Sequence, residues 1–204
     1  GGKTELILAA VDCTGHGVPG AFMTIMVNDF LTEIVESRSI TQPHKILEEL
    51  DKKILLTLQK QTSLASTHDG MDIAIVNINR TNRTIQFAGA KNPLWYVRNQ
   101  QMHQVKASPF SIGYSQFTKN KSFENHTISL LPGDVFYIFS DGYQDQFGGD
   151  RNRKYMRKRF RNLLTDLSQH PIEAQQELLR DEFLDWKATN EQTDDVIVIG
   201  FQFD

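Results

Sequence analysis

Met71-Asp72-Ile73-Ala74-Ile75-Val76-Asn77-Ile78-Asn79 leads through the turn Asn79-Arg80-Thr81-Asn82 into Thr84-Ile85-Gln86-Phe87-Ala88-Gly89-Ala90. From Met71 the hydrophobic period is two, the spacing at which alternate side chains share one face of a strand, and the intervening polar cluster reads as a turn. Further short strands are predicted at Leu94–Arg98, Met102–Lys106, Phe123–Leu130 and Asp134–Ser140, punctuated by Asn99-Gln100 and Pro132-Gly133. This is an antiparallel block, because turns this short can join only neighbours that run in opposite directions.

On both sides of the block the period lengthens. A strand at Thr4–Val11 is followed by the turn-rich Asp12-Cys13-Thr14-Gly15-His16-Gly17-Val18-Pro19-Gly20, and then by a helix over Ala21–Glu36 with Phe22, Met26, Phe30 and Ile34 at four-residue steps. A second helix is predicted over Pro43–Lys60, with Ile46, Leu47, Leu50, Ile54 and Leu58 on one stripe and Thr41 as its cap. Beyond Gly148-Gly149, helices are predicted over Tyr155–Ser168 and Ile172–Lys187, and a last strand over Val196–Phe203. Helices in two pairs around hairpin-connected strands give an α+β class with sheets in the middle and helix pairs outside. No repeat or linker divides residues 1–204, so a single domain is expected. Gly1-Gly2 just before a strand reads either as a hairpin turn whose first arm comes earlier, making this a fragment of a longer protein, or as a tag remnant.

The 204 residues are 39% hydrophobic and 23% charged, which is enough apolar side chain to offset ordering entropy and excludes a disordered chain. The longest apolar run, Leu6 to Val11, is far short of the roughly 20 residues needed to span a bilayer, so no membrane span is expected in this segment. One cysteine, Cys13, forbids an internal disulfide and a thiolate zinc cluster, and fits the cytosol. Net charge is -3, but seven of the 22 basic side chains fall within residues 151–161. Such a run is either a solvated helix face or a site for nucleic acid or an acidic partner, and the solvated face is the preferred reading.

Carboxylates recur at strand ends beside small residues. Asp12 ends the first predicted strand, Asp141-Gly142 ends the strand containing Val135–Phe139, and Asp194-Asp195 begins the last. Opposed strands bring such ends to one rim, and an all-oxygen ligand set without cysteine suits Mg²⁺ or Mn²⁺. The alternative is that Asp141-Gly142 is a plain turn and Asp194 a strand-start cap.

In this order, Asp12-x-x-Gly15-His16-Gly17, Ser140-Asp141-Gly142 and Thr193-Asp194-Asp195 resemble the metal-dependent protein phosphatases of the PPM superfamily, and more closely the sporulation stage II protein E-like branch. The resemblance covers nearly the whole chain and includes Gly70-Met71-Asp72-Ile73-Ala74, Phe87-Ala88-Gly89-Ala90-Lys91-Asn92-Pro93-Leu94, and Asp141 through Gly149. It implies an αββα sandwich of two mostly antiparallel sheets flanked by helix pairs, lacking its first strand here, that hydrolyses phosphoserine or phosphothreonine through a metal-activated water. Position by position, it implies that Asp12 bridges two ions with the Cys13 carbonyl as a further ligand, that Asp141 and Asp194 complete one ion, and that Asp195 stands behind them. The family's additional acidic ligand would precede Gly1, which leaves the second ion in doubt. Ala90 stands where many relatives carry an Asp, which argues against a third.

His16, between glycines, could touch substrate or a metal-bound water, but fixing its turn is the preferred reading. Asp72 and Asn92-Pro93 read as structural, since an Asn can stabilise its own turn. Trp95 and Tyr96 follow the strand period, so packing is favoured over base stacking. The resemblance further implies a phosphoprotein substrate such as a STAS-domain regulator, an upstream sensor domain in the same chain, and a helix pair that serves as a switch or homodimer surface. Two other classes remain open: a catalytically silent phosphoprotein-binding module, and a metal-dependent phosphodiesterase or nuclease that uses the basic run.

Overall fold

In the computed structural model, residues 5–13, 17–60, 70–113 and 121–203 are described. They form two compact units, Gly1–Leu94 with Val105–Leu130, and Trp95–Gln104 with Leu131–Asp204.

The first unit holds a four-stranded sheet in the order β1 (Glu5–Cys13), β2 (Met71–Asn79), β3 (Thr84–Ala90) and β6 (His126–Ser129). Every pair is antiparallel. Residues Ile7, Ala9, Val11 and Cys13 of β1 and Met71, Ile73 and Ile75 of β2 pack against α1 (Gly17–Thr32) and α2 (Pro43–Lys60). Their even-numbered neighbours therefore take the opposite face of the sheet. Ile46, Leu47, Leu50 and Ile54 of α2 are fully buried in this core, so the stripe that could have served a partner is spent on the fold.

Helix α1 departs from expectation at both ends. It starts at Gly17, four residues early, and passes into a π-helical turn at Glu33–Ser37, where Arg38 N–H donates to Glu33 O at 3.0 Å. Its buried stripe is Met23, Met26, Val27 and Ile34, while Phe22 is 48% exposed, because apolar residues occupy more than one face of this helix. At α2 the Gln42 carbonyl accepts the first helical bond, from Ile46, and the expected cap Thr41 instead gives its carbonyl to the buried Asn77 amide at 2.9 Å.

In the second unit the sheet order is β10 (Val198–Gln202), β7 (Val135–Phe139), β4 (Leu94–Arg98) and β5 (Gln101–Val105). Trp95, Val97, Val135, Tyr137 and Phe139 alternate onto one face, where α4 (Arg157–Leu167) and α5 (Ile172–Lys187) cover them with Phe160, Leu164 and Phe183. Trp95 meets Phe139 edge-on at 4.6 Å, so it is a core residue as its strand period predicts. Arg98 grips Asp134 with two hydrogen bonds of 2.9 and 2.6 Å at the end of β4. Both units thus realise the α+β class, a mostly antiparallel sheet with a helix pair on one face. Among the described residues no helix is long and apolar enough to cross a membrane.

The bounds of α2, α5, β2, β3 and β4 match the sequence reading. Strand β6 is shorter than predicted: Phe123 and Leu130 are buried, yet they lie outside the ladder. Ile54→Ala should lower the stability of the first unit by about 2–5 kcal/mol, since the emptied volume lies between a helix and a sheet that cannot both collapse. A urea titration followed by far-UV circular dichroism measures this.

Candidate functional site

β7 runs out at Phe139 into Ser140-Asp141-Gly142 and the short helix α3 (Gly142–Asp145). Ser140 is the clamp. Its backbone N–H donates to Ile197 O at 3.0 Å, its hydroxyl donates to Asp195 O at 3.1 Å, and its Oγ accepts the Ile197 N–H at 3.0 Å. A Cβ on Gly142 would lie 2.3 Å from Asp195 O, so only glycine lets the two segments touch. The turn carrying Asp141 and the segment carrying Asp194-Asp195 are thereby pressed together at one rim. The Asp141 side chain makes no capping bond to α3, while its carbonyl accepts the Asp145 N–H at 3.0 Å.

Asp194 and Asp195 precede β10 by several residues and so lie in a loop. Asp194 Oδ1 accepts the Asp195 N–H at 2.8 Å, a bond local to the loop. What orders this loop is Gln146, which sequence reasoning missed. Its fully buried amide donates to Phe147 O and Glu191 O at 3.0 and 2.9 Å, and its Oε1 accepts the Thr193 N–H at 3.2 Å. Nothing local marks a glutamine for this task, because its partners lie up to 47 positions away.

In the first unit Asp12 lies inside β1, one residue before its end, rather than just beyond a strand. Its Cα partner is Asp72, inside β2. Both alternate with residues packed on the helix pair, so the two carboxylates share the opposite face. Directly opposed like charges repel, and Asp72 is drawn aside: it accepts the Ser111 O–H at 2.7 Å and faces Lys91 Nζ at 3.9 Å. The Gly70-Met71-Asp72 sequence was visible, but Ser111 is 39 positions away. At Asn92 the turn is closed by its backbone N–H donating to Ala90 O at 2.7 Å, and the buried side-chain Nδ2 has no hydrogen-bond partner.

Next along β1, the Cys13 thiol packs on the helix side. Burial pushes it above its ordinary 9.0, the Thr24 hydroxyl draws it down, and the charge of Asp12 adds to the rise. It is therefore a protonated thiol at neutral pH and a poor nucleophile. His16 lies outside the described residues. The donors on offer for an ion are carboxylate and carbonyl oxygens, which fits Mg²⁺ or Mn²⁺. Among the described residues no three His, Cys, Asp or Glu side chains are gathered at one point.

The basic run is largely occupied within the second unit. Arg157 lies over the Trp95 ring at 5.3 Å, Arg159 over Trp186 at 4.3 Å and over Tyr155 at 5.0 Å. Arg161 donates to Met102 O at 2.9 Å, and Lys154 pairs with Asp145 at 2.8 Å. These side chains knit α4 to its neighbours and do not form a continuous track for a phosphate backbone.

A family model described as Stage II sporulation protein E (SpoIIE) matches residues 2–204. Among solved structures, the SiaA-PP2C domain of Pseudomonas aeruginosa is 27% identical with a TM-score of 0.82, over 98% of this chain and 80% of that one. The PP2C phosphatase domain with a fragment of the regulatory domain of SpoIIE from Bacillus subtilis is 18% identical with a TM-score of 0.70, over 96% of this chain and 54% of that one. RsbX in complex with magnesium is 16% identical with a TM-score of 0.60, over 98% of this chain and 82% of that one. The latter two are likenesses of fold. No curated protein is similar enough to count as a match.

A raised thiol means that the folded state holds the Cys13 proton more tightly than the unfolded state does. That stabilisation is present below about pH 9 and is lost as pH rises above it. Alkylation by iodoacetamide should therefore be slower in the native protein than in urea at pH 8, and Cys13→Ala should flatten the alkaline fall in stability. Equal labelling rates in the two states would contradict the burial of this thiol.

Proposed function

Because the chain belongs to the stage II sporulation protein E family, whose members include PP2C-type phosphatase domains, we propose that it hydrolyses phosphoserine or phosphothreonine on a regulatory phosphoprotein with Mn²⁺ or Mg²⁺ as cofactor. The observation that carries this reading is the Ser140 and Gly142 clamp, which presses the Asp141 turn against the Asp194-Asp195 segment in the order the family motif requires.

In this reading Asp12, the Cys13 carbonyl, Asp141 and Asp194 hold the cation, one or two ions in number, and Asp195 and His16 stand behind them. A bound hard cation supplies Lewis-acid polarisation of the phosphoryl oxygens and a lowered pKa for water. The chain's own part is to fix its carboxylates before substrate arrives. Ser140 locks the Asp141 turn, Gln146 locks the loop before Asp194, and Ser111 with Lys91 draws Asp72 away from Asp12. The protonated Cys13 thiol offers no nucleophile, which supports direct attack by water over a covalent intermediate.

Support for the cation comes from the all-oxygen donor set and from RsbX, a protein of like fold solved with magnesium. The regulatory-domain fragment solved with the Bacillus subtilis phosphatase supports a controlling domain elsewhere in this protein's chain, and the proposed substrate is a STAS-domain phosphoprotein. A cytosolic site of action accords with the lone, protonated thiol. Occupation of Arg157, Arg159 and Arg161 by aromatic rings and a carbonyl disfavours the nuclease reading.

Asp12→Asn, Asp141→Asn and Asp194→Asn should each lower Mn²⁺-dependent hydrolysis of a generic phosphoester by ~100-fold or more, about 2.7 kcal/mol of barrier. The fold should survive, since the cores of both units are built from other side chains. Activity that persists in a chelator would refute the mechanism. A protein that binds phosphopeptide but turns over nothing with either ion would be a silent binding module.

A further inference from the structure

Three charged residues stand in one row across the first sheet. Asp12 is paired with Asp72, and one step beyond the last β2–β3 pair, Ile73 with Ala90, Asp72 comes opposite Lys91. The Lys91 ammonium is 3.9 Å from Asp72 Oδ1 with 53% of its side chain exposed. Committed pairs elsewhere are closer, 2.9 Å for Lys121–Asp51 and 2.6 Å for Arg98–Asp134. Lys91 is thus loosely held at its head.

Its backbone is tightly held. Lys91 has φ of 59°, in the left-handed region that costs a side-chain-bearing residue energy. Two hydrogen bonds fix that conformation, Lys91 N–H to Ser108 O at 2.8 Å and Asn92 N–H to Ala90 O at 2.7 Å. The turn folds so closely over Gly89 that a Cβ there would lie 2.3 Å from Asn92 O. Asp72 is anchored too, because Ser111 donates to it and the Ser111 carbonyl in turn accepts from Lys121 Nζ at 3.0 Å. Lys121 is a buried cation whose carboxylate partner, Asp51, lies on α2. A strained, pinned turn and an anchored carboxylate therefore serve to present one lysine head beside Asp72, the strand partner of Asp12.

Building on the phosphatase reading, we infer that Lys91 is the residue that meets the substrate's phosphoryl oxygens, with Asp72 as the carboxylate that holds its ammonium between turnovers. Strands lie about 4.8 Å apart, so Lys91 stands about two spacings from Asp12, a span that a lysine stem and a phosphoryl group cover together. An ammonium is a compact donor suited to phosphate oxygens, and Asp72, fixed by Ser111, stays behind when the ammonium moves.

The test uses the Mn²⁺-loaded protein with inorganic phosphate as the probe, read both as a competitive inhibitor of phosphoester hydrolysis and by direct calorimetric titration. Lys91→Met should weaken phosphate binding and raise KM by at least ~10-fold, with the Mn²⁺ titration midpoint unchanged within about twofold. Lys91→Arg should recover most of the loss, and Asp72→Asn should bind phosphate as tightly or more so. If the Met variant does not fold, Lys91→Gln is read the same way. Unchanged phosphate affinity at position 91, loss of Mn²⁺ affinity in step with phosphate, or weakened phosphate binding in Asp72→Asn would each overturn the assignment. Absence of hydrolysis in the unaltered protein would instead fail the phosphatase reading, and the calorimetric titration would still judge Lys91.

Discussion

A slip of one residue in the pairing of β1 with β2 would turn Asp12 into the apolar layer beneath α1 and α2 and bring Cys13 out. Period-two geometry allows no intermediate arrangement, so the register decides which side chains pack against the helix pair. Ile7, Ala9, Val11 and Cys13 meet that need together with Met71, Ile73 and Ile75. The carboxylates are placed as a by-product. The placement of Asp12 and Asp72 on one face of this sheet therefore follows from packing of the other face against the helix pair.

Polar groups then do locally what burial cannot. Ser140, Gln146, Ser111 and Asn77 are buried or nearly so, and each uses short bonds to join segments far apart in the chain. A buried polar group without a partner costs free energy, so such a residue tolerates few alternative positions for the loop it binds. That intolerance suits an acidic rim. Carboxylates brought together repel, and loops held by weak or adaptable contacts would drift apart to relieve the repulsion.

Much of this was legible in the sequence, and what escaped has a common cause. The periodic elements α2, α5, β2, β3 and β4 were readable because their patterns repeat over many residues. The acidic positions Asp12, Asp141 and Asp194 stand out in the sequence at changes of period, and their role is the one proposed above. Helix α1 was misread at its start, since Phe22 continues an apolar spacing that the core does not use. Ser111 left no trace, and Gln146 and Lys91 lay inside quoted motifs without a role, because each bonds to partners distant in sequence. The charge run at residues 151–161 was ambiguous as composition and became plain only when Trp95, Tyr155 and Trp186 were found beneath it.

The aromatic arrangement of the second unit has an optical corollary. The chain has two tryptophans, and both belong to that unit: Trp95 buried in its core and Trp186 between the Arg159 guanidinium and the Tyr155 edge. Indole emission is therefore a reporter of one half of the molecule. A guanidinium lies over each indole, but Trp95 is buried while Trp186 is partly exposed, which should separate the two in wavelength and in quenching by iodide. The first unit is silent in this signal, so a mismatch between fluorescence and backbone dichroism would reveal the two halves melting separately.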